Sequence, residues 1–176
     1  MVRILSNYIL RYRLEKQLYS LASFSKKNLK QFKTMIVLLP QEYEVYEQLF
    51  LTFSEEFKIP IQNITLVVFS HNDSKAENIM ITNRVYCSSD AVGFWGNINQ
   101  DLTSLFQDEF DLLINYFDEQ NLLLSYMSTF CKAKFRLGFS NANHKLNDLV
   151  LAINPKETQL FLSNASKYLK TILKKV

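Results

Sequence analysis

Short apolar runs with no polar face alternate along this chain with helical stripes, and that alternation constrains the fold more than any other feature. "TMIVLL" (34–39) is closed by Pro40, and from Glu42 to Phe57 the residues Val45, Leu49, Phe53 and Phe57 recur every four, with Tyr46 and Phe50 beside them. A strand followed by an amphipathic helix is the reading. "ITLVVFS" (64–70) follows the helix-breaking Ile59-Pro60-Ile61 and is again rich in β-branched residues. "FDLLINYF" (110–117), "KFRLGFS" (134–140) and "DLVLAIN" (148–154) repeat the pattern, with "RVYCSS" (84–89) a weaker edge strand and "INQDLTSLFQDE" (98–109) a short helix. Strands apolar on both faces suit a sheet covered on both sides. The prediction is therefore a single three-layer, Rossmann-like α/β domain over residues 34–176 with a largely parallel sheet. A basic N-terminal helix and linker, residues 1–33, precede it.

Two helices carry end signals. Asp118 is placed to cap a helix whose inner side is Leu122, Leu123, Tyr126, Met127 and Phe130. For the closing helix, Asn154 is read as the N-cap, Pro155 as first-turn residue and Glu157 as the capping-box acid. Its inner stripe is expected to be Leu160, Ala165, Leu169 and Ile172, with Lys170, Lys174 and Lys175 toward the negative end of the dipole.

The net charge of +3 conceals an uneven distribution. Residues 1–33 hold Arg3, Arg11, Arg13, Lys16, Lys26, Lys27, Lys30 and Lys33 against Glu15 alone, a balance of +7. On a helix, Leu5, Tyr8, Ile9 and Tyr12 share one side while Leu10, Leu14, Leu18 and Leu21 line the opposite one. Two apolar faces imply two contacts, one with the protein's own body and one with something else. Arg3, Arg11, Arg13, Lys26 and Lys27 are the residues expected to meet an anionic partner such as RNA, a ribonucleoprotein or the inner membrane surface. A protein partner or self-association is the other option. The commoner arrangement of such a segment is a packed helix with a solvated lysine-rich linker.

Nearly half the chain is apolar, so a core can form in 176 residues. Cys87 and Cys131 are far apart, without the spacing of a zinc site or a disulfide framework. No signal peptide or membrane-spanning run is evident, and a reducing, cytoplasmic location is expected.

In an open parallel sheet, ligands bind at the carboxyl ends of the strands. After the first strand, "LLPQEYE" offers a proline and two acids where a nucleotide fold places glycines that close on phosphates. No nucleotide or other cofactor is expected. His71 and Asp73, after the second strand, form a histidine–carboxylate pair, but no nucleophile accompanies them and "SHNDSKAEN" is an ordinary turn-forming loop. Asn141 and His144 lie in "SNANHKLND", also rich in turn formers, and His71, Asp73 and His144 match no metal-ligand spacing. Asn115 falls on an otherwise apolar strand face with Leu113 and Phe117, where a buried amide needs a partner. It either fastens a neighbouring loop or faces a ligand. No catalytic constellation emerges from these residues.

"AVGFWGNI" (91–98) sets Phe94 and the only tryptophan, Trp95, between two glycines. Such a loop most commonly plugs the core; otherwise Trp95 is an anchor for a partner.

"FDLLINYF", "KAKFRLGF" and "LNDLVLAI" in this order, with "GFWG" upstream and a basic N-terminal helix, resemble an uncharacterised family of small α/β proteins from Bacteroidota. Residues 110–139 are more weakly similar to the amino-terminal half of heptosyltransferase-like glycosyltransferases, which need a second domain that this chain is too short to contain. The resemblance implies the α/β fold but no activity. Together these observations predict a non-enzymatic binding or adaptor protein working through the basic helix. The alternative is a site for a sugar- or nucleotide-related small molecule at the sheet's carboxyl edge, with His71, Asn115 and Asn141 to inspect.

Overall fold

The computed structural model of the protein describes residues 2–21, 29–70, 80, 81, 83–118, 121–141 and 144–174, and of residues 2–6 the backbone alone. Helix α1 (Val2–Leu21) is followed by β1 (Met35–Pro40), α2 (Glu47–Phe57), β2 (Ile64–Phe69), β3 (Arg84–Cys87) and α3 (Gln100–Gln107). Then come β4 (Glu109–Asn115), α4 (Leu122–Ser128), β5 (Lys132–Phe139), β6 (Leu149–Leu151) and α5 (Thr158–Lys174). The strands form one sheet in the order β3-β2-β1-β4-β5-β6, and every pairing is parallel. Two halves thus wind outward from the β1–β4 pair, where Leu38 lies opposite Asn115.

The sheet is covered on both faces, as the doubly apolar strands require. Residues Met35 to Leu39 of β1 are fully buried. On one face Val37, Leu39, Ile114 and Phe139 pack against Phe50 and Phe53 of α2 and Phe161, Ala165 and Leu169 of α5. On the other, Ile36, Leu38, Val67 and Leu113 meet Leu10, Leu14 and Leu18 of α1, Leu102 and Phe106 of α3, and Leu124 and Met127 of α4. Removing each of these Val, Leu, Ile, Phe and Met side chains from water contributes about 1.5–3 kcal/mol. Tyr116 centres the first layer: five rings, those of Tyr43, Tyr46, Phe50, Phe139 and Phe161, surround it at 5.0–6.4 Å. Its hydroxyl donates to the Pro155 carbonyl at 2.6 Å.

Buried charge is handled by pairing. Asp111, inside β4, accepts the backbone N–H of Lys33 at 2.7 Å and of Thr34 at 3.3 Å, and pairs with the Lys134 ammonium at 2.5 Å. Arg136 is buried beneath the end of α4, donating to the carbonyl of Ser128 at 3.0 Å and to that of Cys131. A cation there complements the negative end of the helix. Burial holds its guanidinium below the usual arginine value. At the β3 edge, the Arg84 side chain, 3% exposed, pairs with Glu44 and lies 2.7 Å from Glu47 Oε1.

Several local expectations are corrected. Residues 41–46 form a 3-10 turn rather than the start of α2, which leaves Val45 exposed. Asn121, not Asp118, caps α4, accepting the Leu124 N–H at 3.0 Å. Asn154 and Glu157 do engage each other, with Glu157 Oε2 accepting the Asn154 N–H at 3.1 Å, but they close a turn before α5 begins at Thr158. The inner stripe of α5 therefore contains Phe161, while Leu160 is exposed. Leu29 and Phe32, assigned to a solvated linker, are buried in the core.

Candidate functional site

Two surfaces stand out. The first belongs to α1. Its leucine stripe, Leu10, Leu14 and Leu18, is buried against the body, chiefly α4 and the 144–146 turn. The opposite side carries Tyr8, Tyr12 and Tyr19, exposed by 72%, 65% and 73%, beside exposed Arg11 and Lys16. Three large aromatic side chains along one helix face are far more than scattered exposure explains. Lys145 reaches one end of the row, its ammonium 4.9 Å from the Tyr19 ring centre.

The 92–98 loop adjoins this helix. Val92 and Ile98 form an antiparallel bridge, and the Tyr126 hydroxyl of α4 donates to the Gly96 carbonyl at 2.8 Å. Gly96 takes φ +80°, and a Cβ there would meet Arg13 Cδ at 2.8 Å and the Tyr126 hydroxyl at 3.0 Å. Only glycine suits that backbone and that close approach. Ala91 and Val92 are core residues, so the base of the loop does plug the molecule. Its tip does not: Trp95 is 64% exposed, propped edge-to-face on Phe94 at 5.0 Å, which corrects the expectation of a buried tryptophan.

The second surface is a crevice of about 800 Å³ at the carboxyl edge of the sheet. It lies where β1 and β4 part, their following segments leading to helices on opposite faces. Such switch points are where open α/β sheets hold ligands. Four parts of the chain line it, three of them being Asn7 of α1, the Pro40–Tyr43 turn, and Asp118 with Asn121, Leu122 and Leu123. Phe69, at the end of β2, completes the wall. Burial first, then the nearby carboxylates of Glu42 and Asp118, push the Tyr43 phenol above its ordinary value.

The residues singled out in the sequence are scattered. Arg11 and Arg13 are on α1, Arg13 half-buried beside Gly96. The Arg3 side chain, Lys26, Lys27, His71 and Asp73 lie outside the described residues. Asn141 and His144 are exposed in the β5–β6 connection and do not line the crevice. Asn115 is fully buried, and its amide donates to Asn147 Oδ1 at 2.7 Å, so it fastens the connection before β6. Among the described residues, no group of three or more His, Cys, Asp or Glu could hold a metal, and no helix is long and apolar enough to cross a membrane. Sequence reasoning missed the crevice carboxylates as a set. The sign it had was the pair of acids after the first strand, used only to exclude phosphate.

The parallel sheet, its strand order and the helices on both faces define an open, doubly wound α/β protein of Rossmann-like architecture. Residues 7–172 match the family of unknown function DUF6913, and the chain belongs to that family. No curated protein and no solved structure matches it.

Proposed function

We propose that this is a non-enzymatic binding protein whose α1 helix, with the Trp95 loop beside it, contacts single-stranded RNA. The observation that carries this reading is the exposed row of Tyr8, Tyr12 and Tyr19 on a helix whose other side is already buried. Flat aromatic rings give bases a stacking surface, and interleaved cations track the phosphates. Arg11 and Lys16 lie among the tyrosines, in a segment whose first 33 residues carry a balance of +7. A membrane surface suits this face less well, since an interfacial helix lays a continuous apolar face into the lipid, and here the leucine stripe faces the body while charged Arg11 and Lys16 stand beside the exposed tyrosines.

The test is ultraviolet crosslinking of the full-length chain to a uridine-rich single-stranded RNA, with the attached peptides mapped by mass spectrometry. Crosslinks within residues 7–21 and 93–97 are expected. Absence of crosslinks, crosslinks confined to α5 and the opposite face, or selective binding to anionic vesicles would each overturn the reading.

A second reading, a small-molecule site at the carboxyl edge, is favoured by the crevice between β1 and β4. The likeness of residues 110–139 to heptosyltransferase-like glycosyltransferases would favour a sugar-related occupant there.

A further inference from the structure

Stacking on the tyrosine row of α1 reads no sequence, because every base has a π-face. Tyr8, Tyr12 and Tyr19 lie within about 40° of one another around the helix, so they offer successive bases equivalent surfaces. A sequence preference needs fixed donors or acceptors beside a stacked base. The corner where the 92–98 loop meets α1 supplies both.

The loop holds its tip in place. Val92 and Ile98 bridge its base, the Gly93 N–H donates to the Asn97 carbonyl at 2.8 Å, and the Gly96 N–H donates to the Gly93 carbonyl at 2.7 Å. Trp95 therefore sits at the third position of a closed turn, Gly93 to Gly96, with most of its surface in solvent. The Tyr126 hydroxyl, bonded to the Gly96 carbonyl, anchors that turn to α4. A platform fixed before binding loses little freedom when a base settles on it.

Arg13 stands against the same turn from the helix side. A Cβ on Gly96 would lie 2.8 Å from its Cδ and 3.4 Å from its Nε, so the arginine stem rests on the residue next to Trp95. Arg13 is half-buried, yet among the described residues no hydrogen bond or ion pair engages its guanidinium. An arginine held by its stem, with its planar fork of donors unspent, matches two adjacent acceptors. Guanine presents O6 and N7 side by side, and arginine is their commonest specific partner. Adenine and uracil alternate donors with acceptors along their edges, so one arm of the fork would meet an N–H. Cytosine sets O2 beside N3 but gives the indole a single ring, a smaller stacking face than a purine's.

We infer that Arg13 and Trp95 together select a guanine: the base stacks on the Trp95 indole while the Arg13 guanidinium donates to its O6 and N7. The inference rests on the reading that α1 and the Trp95 loop contact single-stranded RNA, and adds that one position of that RNA is read by its base.

Fluorescence anisotropy of the full-length protein tests it with a short labelled all-uridine RNA and the same RNA carrying a single central guanine, adenine or cytosine. The guanine RNA should bind about ten-fold more tightly than the other three, the order of discrimination that one bidentate contact gives. Arg13→Lys keeps the charge and a methylene stem but not the fork, and should bring the ratio of guanine to uridine affinity close to one. Trp95→Ala should do the same, and thermal unfolding checks that both variants remain folded. Arg11→Lys, the same exchange at an exposed position of α1, should preserve the ratio. If Arg13→Lys lowers all four affinities together and keeps the ratio, Arg13 supplies only charge and the inference is overturned. Equal binding of the four RNAs by the unaltered protein, or preference for another base, would also overturn it while leaving RNA contact by α1 in place. Should none of the four bind, the RNA reading fails and the guanine assignment falls with it.

Discussion

The connection before β6 is held by contacts among Asn115, Gly138 and Asn147. The Asn147 side chain lies flat over Gly138 while accepting the Asn115 amide, and a Cβ on Gly138 would come within 2.7 Å of Asn147 Cγ. Asn147 cannot retreat without surrendering that bond and leaving the fully buried Asn115 amide unpaired. Gly138→Ala is therefore expected to destabilise the protein by about 1–3 kcal/mol in urea unfolding, the usual cost of overpacking. Gly93→Ala is the control, since a Cβ there would meet only the Asn97 carbonyl at 3.6 Å, and it should stay within about 0.5 kcal/mol. Equal midpoints for the two variants would contradict this account of Gly138. The sequence announced a partner for Asn115, because an amide on an apolar strand face has to find one. It did not announce which, for Asn147 is 32 residues away and reaches it only through tertiary structure.

Helix α1 separates what stabilises from what is offered to a partner. Leu14→Ala should cost about 2–5 kcal/mol, as a leucine removed from a packed interface does. Tyr12→Ala should change stability by no more than about 0.5 kcal/mol, as an exposed side chain away from special features does. Chemical denaturation distinguishes them, and equal losses would mean that the tyrosine side is also packed. Periodicity showed both faces in the sequence; it could not rank them, because tyrosine and leucine are both large and apolar in body. The strands were more legible than the helices for a related reason. A run such as "TMIVLL" has no solvent side to misassign, whereas a helix stripe shifts with its starting residue. Starting the last helix at Pro155 turns Leu160 inward, whereas the helix that begins at Thr158 turns Phe161 inward with Ala165, Leu169 and Ile172. Asp118 and Asn121 offer the same capping chemistry three residues apart, and local propensity cannot choose between them. The Glu44–Arg84 pairing joins residues 40 apart and left no local sign at all.

Across the whole molecule, burial of titratable groups sets how stability depends on pH. Burial pushes the Cys87 and Cys131 thiols up to about 12, from an ordinary value of 9.0. It also raises the phenols of Tyr116 and Tyr43 above 10.0. These groups hold their protons more tightly folded than unfolded, so their contribution is complete below about pH 9 and is lost as pH rises beyond it. On the acid side, hydrogen bonds from Lys170 and Ser166 outweigh burial and keep the Glu56 carboxyl below 4.5, so its contribution fades as pH falls through that range. Urea midpoints should decline above pH 9, and less so for the double variant Cys87→Ala, Cys131→Ala relative to its own neutral value. A flat profile up to pH 11 would contradict the burial of these groups. A closely packed interior, in which Asp111, Arg84 and Arg136 are bonded to neighbours, contrasts with the exposed basic, aromatic face of α1, and the central claim is that this face binds RNA. Fluorescence anisotropy of a labelled single-stranded RNA against the full-length protein, over a salt series, tests it most directly. The account predicts binding that weakens steeply from low to moderate salt as counterions are released. It also predicts that Tyr8→Ala, Tyr12→Ala and Trp95→Ala each cost about 1–3 kcal/mol of affinity through lost stacking, with unfolding unchanged. Binding that ignores salt and survives all three substitutions together would contradict it.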